Sequence, residues 1–457
     1  MKKLVIAALL ILLLSGCTTF EPSGQVVKGP KIVREDERNV EVYFCPQDQC
    51  REKLVDFLGS AEESIHCALY DLDLEEVKDV LSRDDIDVKL VTDIDNLDYS
   101  KELNPITNPG YQLMHNKFCV IDGKKFFTGS FNPTERGNFY NNNNMLIIES
   151  EYLSQNYEDE FEELYGETFS GGEEVRYPIV YLGDSKFENY FCPEDDCSSN
   201  VIDILSNAEK EIYFMTFSFT DNDIGNMLIR NFDDGVKVKG IFESSGLSDY
   251  SEYSRLKDAG IEVKLDSNKY KLHHKVFIID NETVITGSYN PTVSGDEKND
   301  ENFLIIDDKG IAQEFLEEFD RLWSYEGGSI DECLPAVDIL ISEVYYDCTG
   351  KDSEEEYVEI YNPTVSDVNL DYYFISRESS NERLKGILSS GQKKKFYPKF
   401  ALPNTGGHVI LSKADYWVDY VNWEDEWVLE VNTGEAISRK SYDKVNCEDN
   451  WFNEFFQ

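Results

Sequence analysis

The stretch HNKFCVIDGKKFFTGSFN, His115 to Asn132, recurs as HHKVFIIDNETVITGSYN, His273 to Asn290. Both fit H-x-K-x4-D-x6-G-S-x-N without a gap. His115, Lys117, Asp122, Gly129, Ser130 and Asn132 correspond to His273, Lys275, Asp280, Gly287, Ser288 and Asn290, with an offset of 158 residues throughout. The chain holds only five histidines, and two of them open these copies.

The likeness extends outward in both directions. VEVYFCPQDQC (Val40 to Cys50) has the counterpart SKFENYFCPEDDC (Ser185 to Cys197), and LGSAEESIHCALY (Leu58 to Tyr70) aligns with LSNAEKEIYFMTF (Leu205 to Phe217). Each of the latter reads as the end of an amphipathic helix running into a buried strand. IDVKLVTD and VKVKGIFE alternate like strands. Further strands, MLIIE from Met145 and FLIID from Phe303, precede helical stretches from Asn156 and Glu314. Strands alternating with helices predict an α/β layered fold with a mixed sheet. Two copies predict a pseudo-symmetric pair of halves, 39–168 and 176–328, joined near 166–175. From about Pro335 short strands and turn residues take over, as expected of an all-β sandwich.

Residues i and i+2 of a strand share a face, so an imidazole and an ammonium project side by side from His115 and Lys117, and again from His273 and Lys275. If the halves pack about a two-fold axis, both sets converge on one pocket. Its fitting guest is a tetrahedral oxyanion bearing ester groups, a phosphodiester. Lys117, Ser130 and Asn132, with Lys275, Ser288 and Asn290, are expected to bind the phosphate oxygens and stabilise transition-state charge. One histidine can attack phosphorus through a neutral ring nitrogen, while the other donates a proton to the leaving oxygen and then activates water.

These motifs resemble the phospholipase D superfamily, whose signature is this pattern, over roughly residues 39–326. The resemblance implies a duplicated phospholipase D-like fold and a metal-independent, two-step displacement through a phosphohistidine, with no cofactor. It also implies that Asp122 and Asp280 support loops instead of touching substrate. The family places an acidic residue 28 positions after the motif histidine, to orient the histidine of the opposite half. Glu301 matches; the other copy has Asn143. On that carry-over Glu301 orients His115 and Asn143 faces His273, so His115 is expected to be the nucleophile and His273 the general acid/base. The expected catalytic set is His115, Lys117, Asn132, His273, Lys275, Asn290 and Glu301.

Other positions read more simply. His66 lacks a lysine at i+2 and suits a satisfied core histidine. His274, the middle residue of its motif, should face away from the pocket. His408 lies beside glycines and reads as superficial. Lys269, Lys271, Lys124 and Lys125 either form a basic mouth or are solvated turn lysines.

The N-terminus reads as an address. Lys2 and Lys3 precede an apolar run, Leu4 to Leu14, too short to span a membrane. Leu14-Ser15-Gly16-Cys17 resembles a lipoprotein lipobox, which implies a signal peptide over 1–16, a lipidated Cys17 and a polar linker over 17–38. An ordinary secretory signal with a chance cysteine is the alternative. Either implies export. The lipobox adds anchoring to the outer face of the cytoplasmic membrane. In that setting Cys45 with Cys50, and Cys192 with Cys197, read as local disulfides; a soft-metal site would lack histidines. Cys67 and Cys119 align with Phe214 and Phe277 and read as buried free thiols. Cys333, Cys348 and Cys447 leave room for one unassigned pair. The net charge of −47 repels nucleic acid and anionic membrane unless a basic patch or ambient salt intervenes.

ILISEVYYD, YVEIYNP (Tyr357 to Pro363), GGHVILS and AISRK resemble the lamin-tail domain, an immunoglobulin-like sandwich, over 336–457. It reads as a binding or positioning module of unknown ligand; Lys393, Lys394 and Lys395 either touch an anionic polymer or form a solvated loop. The expected function is a phosphodiesterase, foremost a cell-surface nuclease acting on DNA or RNA. The alternatives are a phospholipase D or cardiolipin-type enzyme and a non-catalytic phosphodiester-binding protein. The duplication allows one complete site within a monomer.

Overall fold

The computed structural model of the protein describes residues 31–268, 270–324, 334–335, 339–346, 355–377, 380–402, 407–413, 416–422, 435–439, 444–445 and 451–455. The signal segment, Cys17, Lys269, Cys333, Cys348 and Cys447 lie outside the described residues.

Strand β1 (Ile32–Glu35) precedes a first half made of β2 (Asn39–Cys45), α1 (Cys50–Gly59), β3 (Ser64–Leu69), α2 (Glu75–Leu81), β4 (Asp87–Thr92), β5 (Ile106–Thr107), β6 (Lys117–Ile121), β7 (Lys125–Gly129), α3 (Glu135–Phe139), β8 (Asn143–Glu149) and α4 (Glu151–Tyr165). After β9 (Ile179–Leu182), the second half repeats the plan. It comprises β10 (Ser185–Cys192), α5 (Cys197–Leu205), β11 (Glu211–Thr216), α6 (Asn222–Asp233), β12 (Lys237–Phe242), α7 (Glu252–Asp258), β13 (Glu262–Leu265), β14 (Lys275–Ile279), β15 (Thr283–Gly287), α8 (Val293–Glu297), β16 (Glu301–Asp307) and α9 (Lys309–Ser324). The first sheet runs β2-β8-β7-β6-β3-β4-β5. The second runs β10-β16-β15-β14-β11-β12-β13 in the same order, with β9 and β1 added at its edge. Both sheets are mixed: β3 and β4 pair in parallel, whereas β3 and β6 pair antiparallel.

The motif strands show why the sheets are covered on both faces. Along β6, Phe118 and Val120 enter a core shared by the two halves, while Cys119 and Ile121 enter the first half's own core. Along β14, Val276 and Ile278 face the shared core and Phe277 and Ile279 the outer one. Such strands read as continuous apolar runs. Helices α4 and α9 line the shared core with Leu153, Tyr157 and Phe161, and with Ile311, Phe315 and Phe319, at helical spacing. Ser150 caps α4 by accepting the Leu153 N–H. Truncating Phe161 there would cost about 3–5 kcal/mol.

Two expectations need correction. Residues 31–38 are not all linker. Ile32 and Val33 belong to β1, which pairs in parallel with β9 of the second half. Glu35 at its end accepts the Ser150 hydroxyl at 2.6 Å and the Tyr152 N–H at 3.1 Å, clasping α4 of the first half. Cys67 and Cys119 are not free thiols. They are directly opposed on β3 and β6 and form a disulfide. The aligned pair in the second half, Phe214 and Phe277, is likewise opposed, with ring centroids 5.9 Å apart. Cys45–Cys50 and Cys192–Cys197 are disulfides, each tying a strand end to the following helix.

The C-terminal region is β-rich. One sheet orders its strands 393–396, 357–361, 340–345, 435–439 and 451–455; another orders 380–383, 373–377, 408–413 and 416–422. Ile341, Ile360, Phe374 and Leu411 share its core. The buried Arg439 and Asp419 pair across these sheets, Asp419 also accepting the Ile341 N–H at 2.7 Å. Phe139 of α3 is part of this core, so the β region seats on the first half.

Candidate active site

Backbone pairing brings the two motifs together. The His115 N–H donates to the Asp300 carbonyl at 2.9 Å, and the His273 N–H to the Asn142 carbonyl at 2.8 Å. Each histidine sits just ahead of its strand, not on it, held by the segment that opens the opposite half's β8 or β16. The flanking bridges, Met114 to Asp300 and Asn142 to Leu272, are symmetry equivalents.

That arrangement places an orienting side chain on each imidazole from across the interface. His115 Nδ1 lies 2.7 Å from Glu301 Oε2, which also accepts the Ser288 hydroxyl at 2.8 Å. His273 Nδ1 lies 2.9 Å from Asn143 Oδ1 and 3.0 Å from the Ser130 carbonyl. Two acceptors face this nitrogen, so Nδ1 is the protonated one. Both rings thereby offer Nε2 for chemistry. Glu301 is fully buried and Asn143 is its symmetry equivalent.

The lysines fold back on their own turns. Lys117 Nζ donates to the His115 carbonyl at 2.5 Å and Lys275 Nζ to the His273 carbonyl at 2.8 Å. Tyr70 packs on His115 at 4.8 Å and lies 4.8 Å from Lys117 Nζ; Phe217 packs on His273 at 5.0 Å and lies 5.0 Å from Lys275 Nζ. These aromatic shelves are residues the sequence reading aligned without giving them a role. The signal was there: each directly follows the strand beside the motif strand.

Burial dominates the electrostatics. It pushes the Lys117 ammonium down to about 7, and Lys275 well below the ordinary lysine range, aided by Lys117. Burial, then Lys117 and Lys275, hold His115 well below the usual imidazole range. His273 is lowered by burial, then by Lys275, Lys117 and His115, so the two half-sites feel one another. Burial also raises Glu301 to about 8. His115 is therefore neutral at rest, and the pocket is short of the positive charge its lysines can carry. An entering anion would restore it by drawing protons in.

Asn132 Oδ1 and Asn290 Oδ1 are buried with no hydrogen-bond partner among the described residues. These atoms are acceptors at equivalent positions of both motifs; the Nδ2 donors of the same carboxamides are the atoms that can meet a phosphate oxygen. Ser130 and Ser288, expected to bind phosphate, do something else. Ser130 Oγ accepts the Asn144 N–H at 3.0 Å. Ser288 Oγ accepts the Asn302 N–H at 3.0 Å and donates to Glu301. Both are buried and turned toward the next strand because β7 and β15 end there.

Asp122 and Asp280 stand at the far ends of the motif strands. Burial alone would raise Asp122, but backbone N–H groups of Glu62, Glu63 and Ser64 hold it below the usual carboxylate range. Asp280 is held likewise by Glu209, Lys210 and Glu211. Lys124 and Lys125 share that far end, where Lys125 pairs with Glu149 at 3.0 Å, so they are not at the mouth. Lys271, two residues before His273, lines with Arg136, Tyr140, Asn141, Glu243 and Tyr270 a cavity of about 510 Å³. His274 faces away from the pocket, 3.0 Å from Asn144 and 3.2 Å from Glu318. His66 is buried against Phe161, with Nδ1 2.8 Å from Glu158. His66, Glu158 and Glu162 are close enough to share a cation, but Lys89, 3.6 Å from Glu162, already supplies positive charge there. His408 is half-buried on its strand.

Comparison with known proteins identifies the family. The family model "Cardiolipin synthase, PLD-like domain" matches residues 54–165 and 201–323, and the lamin tail domain model matches 335–444. A phospholipase D of Rickettsia prowazekii is 35% identical over 142 residues, 31% of this chain and 69% of that protein. A mitochondrial cardiolipin hydrolase of Xenopus tropicalis is 31% identical over 159 residues, 34% of this chain and 74% of that protein. The crystal structure of Nuc from Salmonella typhimurium, a phospholipase D family member, aligns at 31% identity, covering 31% of this chain and 95% of that one, with a TM-score of 0.30. The chain belongs to the phospholipase D-like family and carries a lamin tail domain; it is a phosphodiesterase of that superfamily.

Proposed function

We propose that this phosphodiesterase acts through a covalent phosphohistidine on His115, and that its substrate is nucleic acid. The observation that carries the first part is the unequal cross-half pairing, Glu301 on His115 and Asn143 on His273. Glu301 is held near 8 by burial, and the positive charge that forms on the ring when Nε2 bonds to phosphorus draws it to its carboxylate, which then stabilises the imidazolium; a carboxamide orients a ring without adding charge.

In the first step the His115 Nε2 lone pair forms a P–N bond as the bond to the leaving oxygen breaks. His273, protonated at Nε2 as the entering anion draws protons into the pocket, passes that proton to the leaving oxygen. In the second, water attacks phosphorus, His273 takes its proton, and the P–N bond breaks to return His115. The products are a phosphomonoester and an alcohol. Lys117, Lys275, Asn132 and Asn290 hold the non-bridging oxygens. Lys117 and Lys275, protonated as the anion enters, supply the positive charge that a metal ion would otherwise bring, which supports a metal-independent reaction. Glu301 is a positioning residue.

Support for nucleic acid comes from the mouth at Lys271. There Arg136 and Lys271 offer cations against one carboxylate, Glu243, which accepts the Ser245 and Leu272 N–H groups, and Tyr140 and Tyr270 offer aromatic surface, on a chain whose net charge is −47. The relatives named phospholipase D and cardiolipin hydrolase support the second reading, a phospholipid headgroup. We further propose export with a lipid on Cys17; three disulfides among the described residues suit an oxidising compartment. Mass spectrometry of the mature N-terminus tests this: an unmodified Cys17 in the cell-associated protein contradicts it.

Incubation with single- and double-stranded DNA, RNA and phospholipid vesicles in excess chelator, beside a His115→Ala control, tests the substrate. Nucleic-acid cleavage lost in the control is the expected result. Release of headgroup with nucleic acid left intact would replace the nuclease reading. Activity only after metal is restored would overturn the metal-independent step.

A further inference from the structure

One cavity lies away from the histidines. It is a cleft of about 810 Å³ in the lamin tail domain, bounded by Asn381, Arg383, Lys385, Tyr397 and Lys399. Three features set it apart from the acidic surface elsewhere. First, among the described residues Lys385, Lys394 and Lys399 form no ion pair with a carboxylate. Lys394, on the strand beside the cleft, donates instead to the Lys385 carbonyl at 3.0 Å, which brings its ammonium to the cleft's Lys385 rim. Second, the one acidic residue of the lining, Glu382, is already engaged, accepting the Lys399 N–H at 2.7 Å. Third, the wall is aromatic: Phe396 lies 5.1 Å below Lys394 Nζ, and Tyr397 is 55% exposed.

The cleft is also joined to the catalytic mouth. Asn381 of the cleft donates to the hydroxyl of Tyr270 of the mouth at 3.4 Å. Tyr140 packs between Tyr270, at 4.4 Å, and Phe374 of the lamin tail domain, at 5.1 Å. Arg383 pairs with Glu135 at 2.5 Å and lies 4.0 Å over Phe139, pinning the cleft to α3, three residues after Asn132. The two cavities therefore meet at the Tyr270–Asn381 contact.

We propose that the lamin tail domain carries a subsite for single-stranded nucleic acid, the Asn381–Lys399 cleft, which takes up the strand as it leaves the catalytic mouth. The inference rests on the nucleic-acid reading above and deepens it. Unpaired cations track a phosphate backbone, and exposed aromatic faces stack bases only when those bases are free of a partner strand. A phospholipid headgroup held at the histidines would end there and would have no reason to reach a second domain.

The test uses the full chain carrying His115→Ala, so that bound strands persist, and a labelled oligothymidylate of about 20 nucleotides beside one of about 4, which cannot span both cavities. Adding Lys385→Glu and Lys399→Glu should weaken binding of the long strand roughly tenfold and flatten its salt dependence. Binding of the short strand should not change. With His115 restored, hydrolysis of bis(p-nitrophenyl) phosphate should be unaffected by the lysine changes, showing that the protein is folded and the site intact. Unchanged affinity for the long strand overturns the proposal. So does lysine-dependent binding of phosphatidylglycerol vesicles without binding of oligonucleotide, which would make the cleft a membrane contact. If the long strand binds through the lysines yet the wild type does not cleave it, the subsite stands and the nuclease reading falls.

Discussion

The two halves share a strand order and a motif, yet they differ at the positions that set charge. On His115 the orienting group is Glu301; on His273 it is Asn143. Behind the motif, His274 meets Glu318, which Arg321 and His274 hold down at about 2 against burial. The equivalent Asn116 meets Glu160, 3.1 Å away, which burial and then Glu194 and Asp300 push well above the carboxylate range. Across β3 and β6 the first half has a disulfide where the second has two phenylalanines. What the halves keep in common makes the pocket. What they do not keep divides the labour within it.

The sharpest break of that comparison is at the histidines. His115→Ala should lower turnover on the order of 10⁵-fold and abolish the phosphoryl-enzyme. His273→Ala should also lose turnover, but with an activated substrate whose leaving group needs no proton it should still form the intermediate. Equal loss of intermediate in both would erase the division of roles.

The next effect is on stability. Closing the loop between Cys67 and Cys119, separated by 52 residues, contributes about 4 kcal/mol, against about 2 kcal/mol for each pair separated by 5. Cys67→Ala with Cys119→Ala should therefore shift the denaturant midpoint more than loss of either short-range disulfide. Phe277→Ala in the second half should cost a comparable 3–5 kcal/mol. A first half indifferent to the cysteine changes would show that the pairing does not form.

Smaller, and more telling, are the orienting groups. Glu301→Gln should lower kcat about 10²-fold, while Asn143→Ala should cost nearer tenfold, the worth of one hydrogen bond. Equal losses would mean that the carboxylate charge is not used. The least of the effects is in pH. Lys117 is held at about 7, so it is an ammonium below that pH and increasingly neutral above it. Inhibition by sulfate, whose charge is constant there, should weaken from pH 7 to 9. One linked proton sets a limit of about tenfold per pH unit. Ionisation of Glu301 near 8 acts in the same direction. Inhibition that is flat or strengthens with pH would mean that the lysines stay charged.

Much of this was legible beforehand. Six positions, five polar and one glycine, recurring at one spacing announced two halves and one pocket, and the resemblance to the phospholipase D superfamily, carried over to Glu301 and Asn143, implied the cross-pairing. The lamin tail domain was legible in YVEIYNP. The misreadings share a physical cause: a strand sequence shows which residues alternate, but not what stands opposite. Ser130 and Ser288 look like ligands until β8 and β16 take their hydroxyls. Cys67 and Cys119 look like apolar fillers until the register opposes them. Lys124 and Lys125 are close to the motif in sequence and at its far end in space. The cleft at Lys385 and Lys399 depends on loops meeting across two sheets, which no local pattern records.

The account turns on which imidazole becomes covalent. The direct measurement is acid-free quenching during turnover, proteolysis, and mass spectrometry of the phosphorylated peptide. The substrate's phosphoryl group, still carrying its remaining ester, on the peptide containing His115 and absent from Glu301→Gln at matched times is the predicted result. The same adduct on the peptide containing His273 would contradict the account and reverse the roles of the two halves.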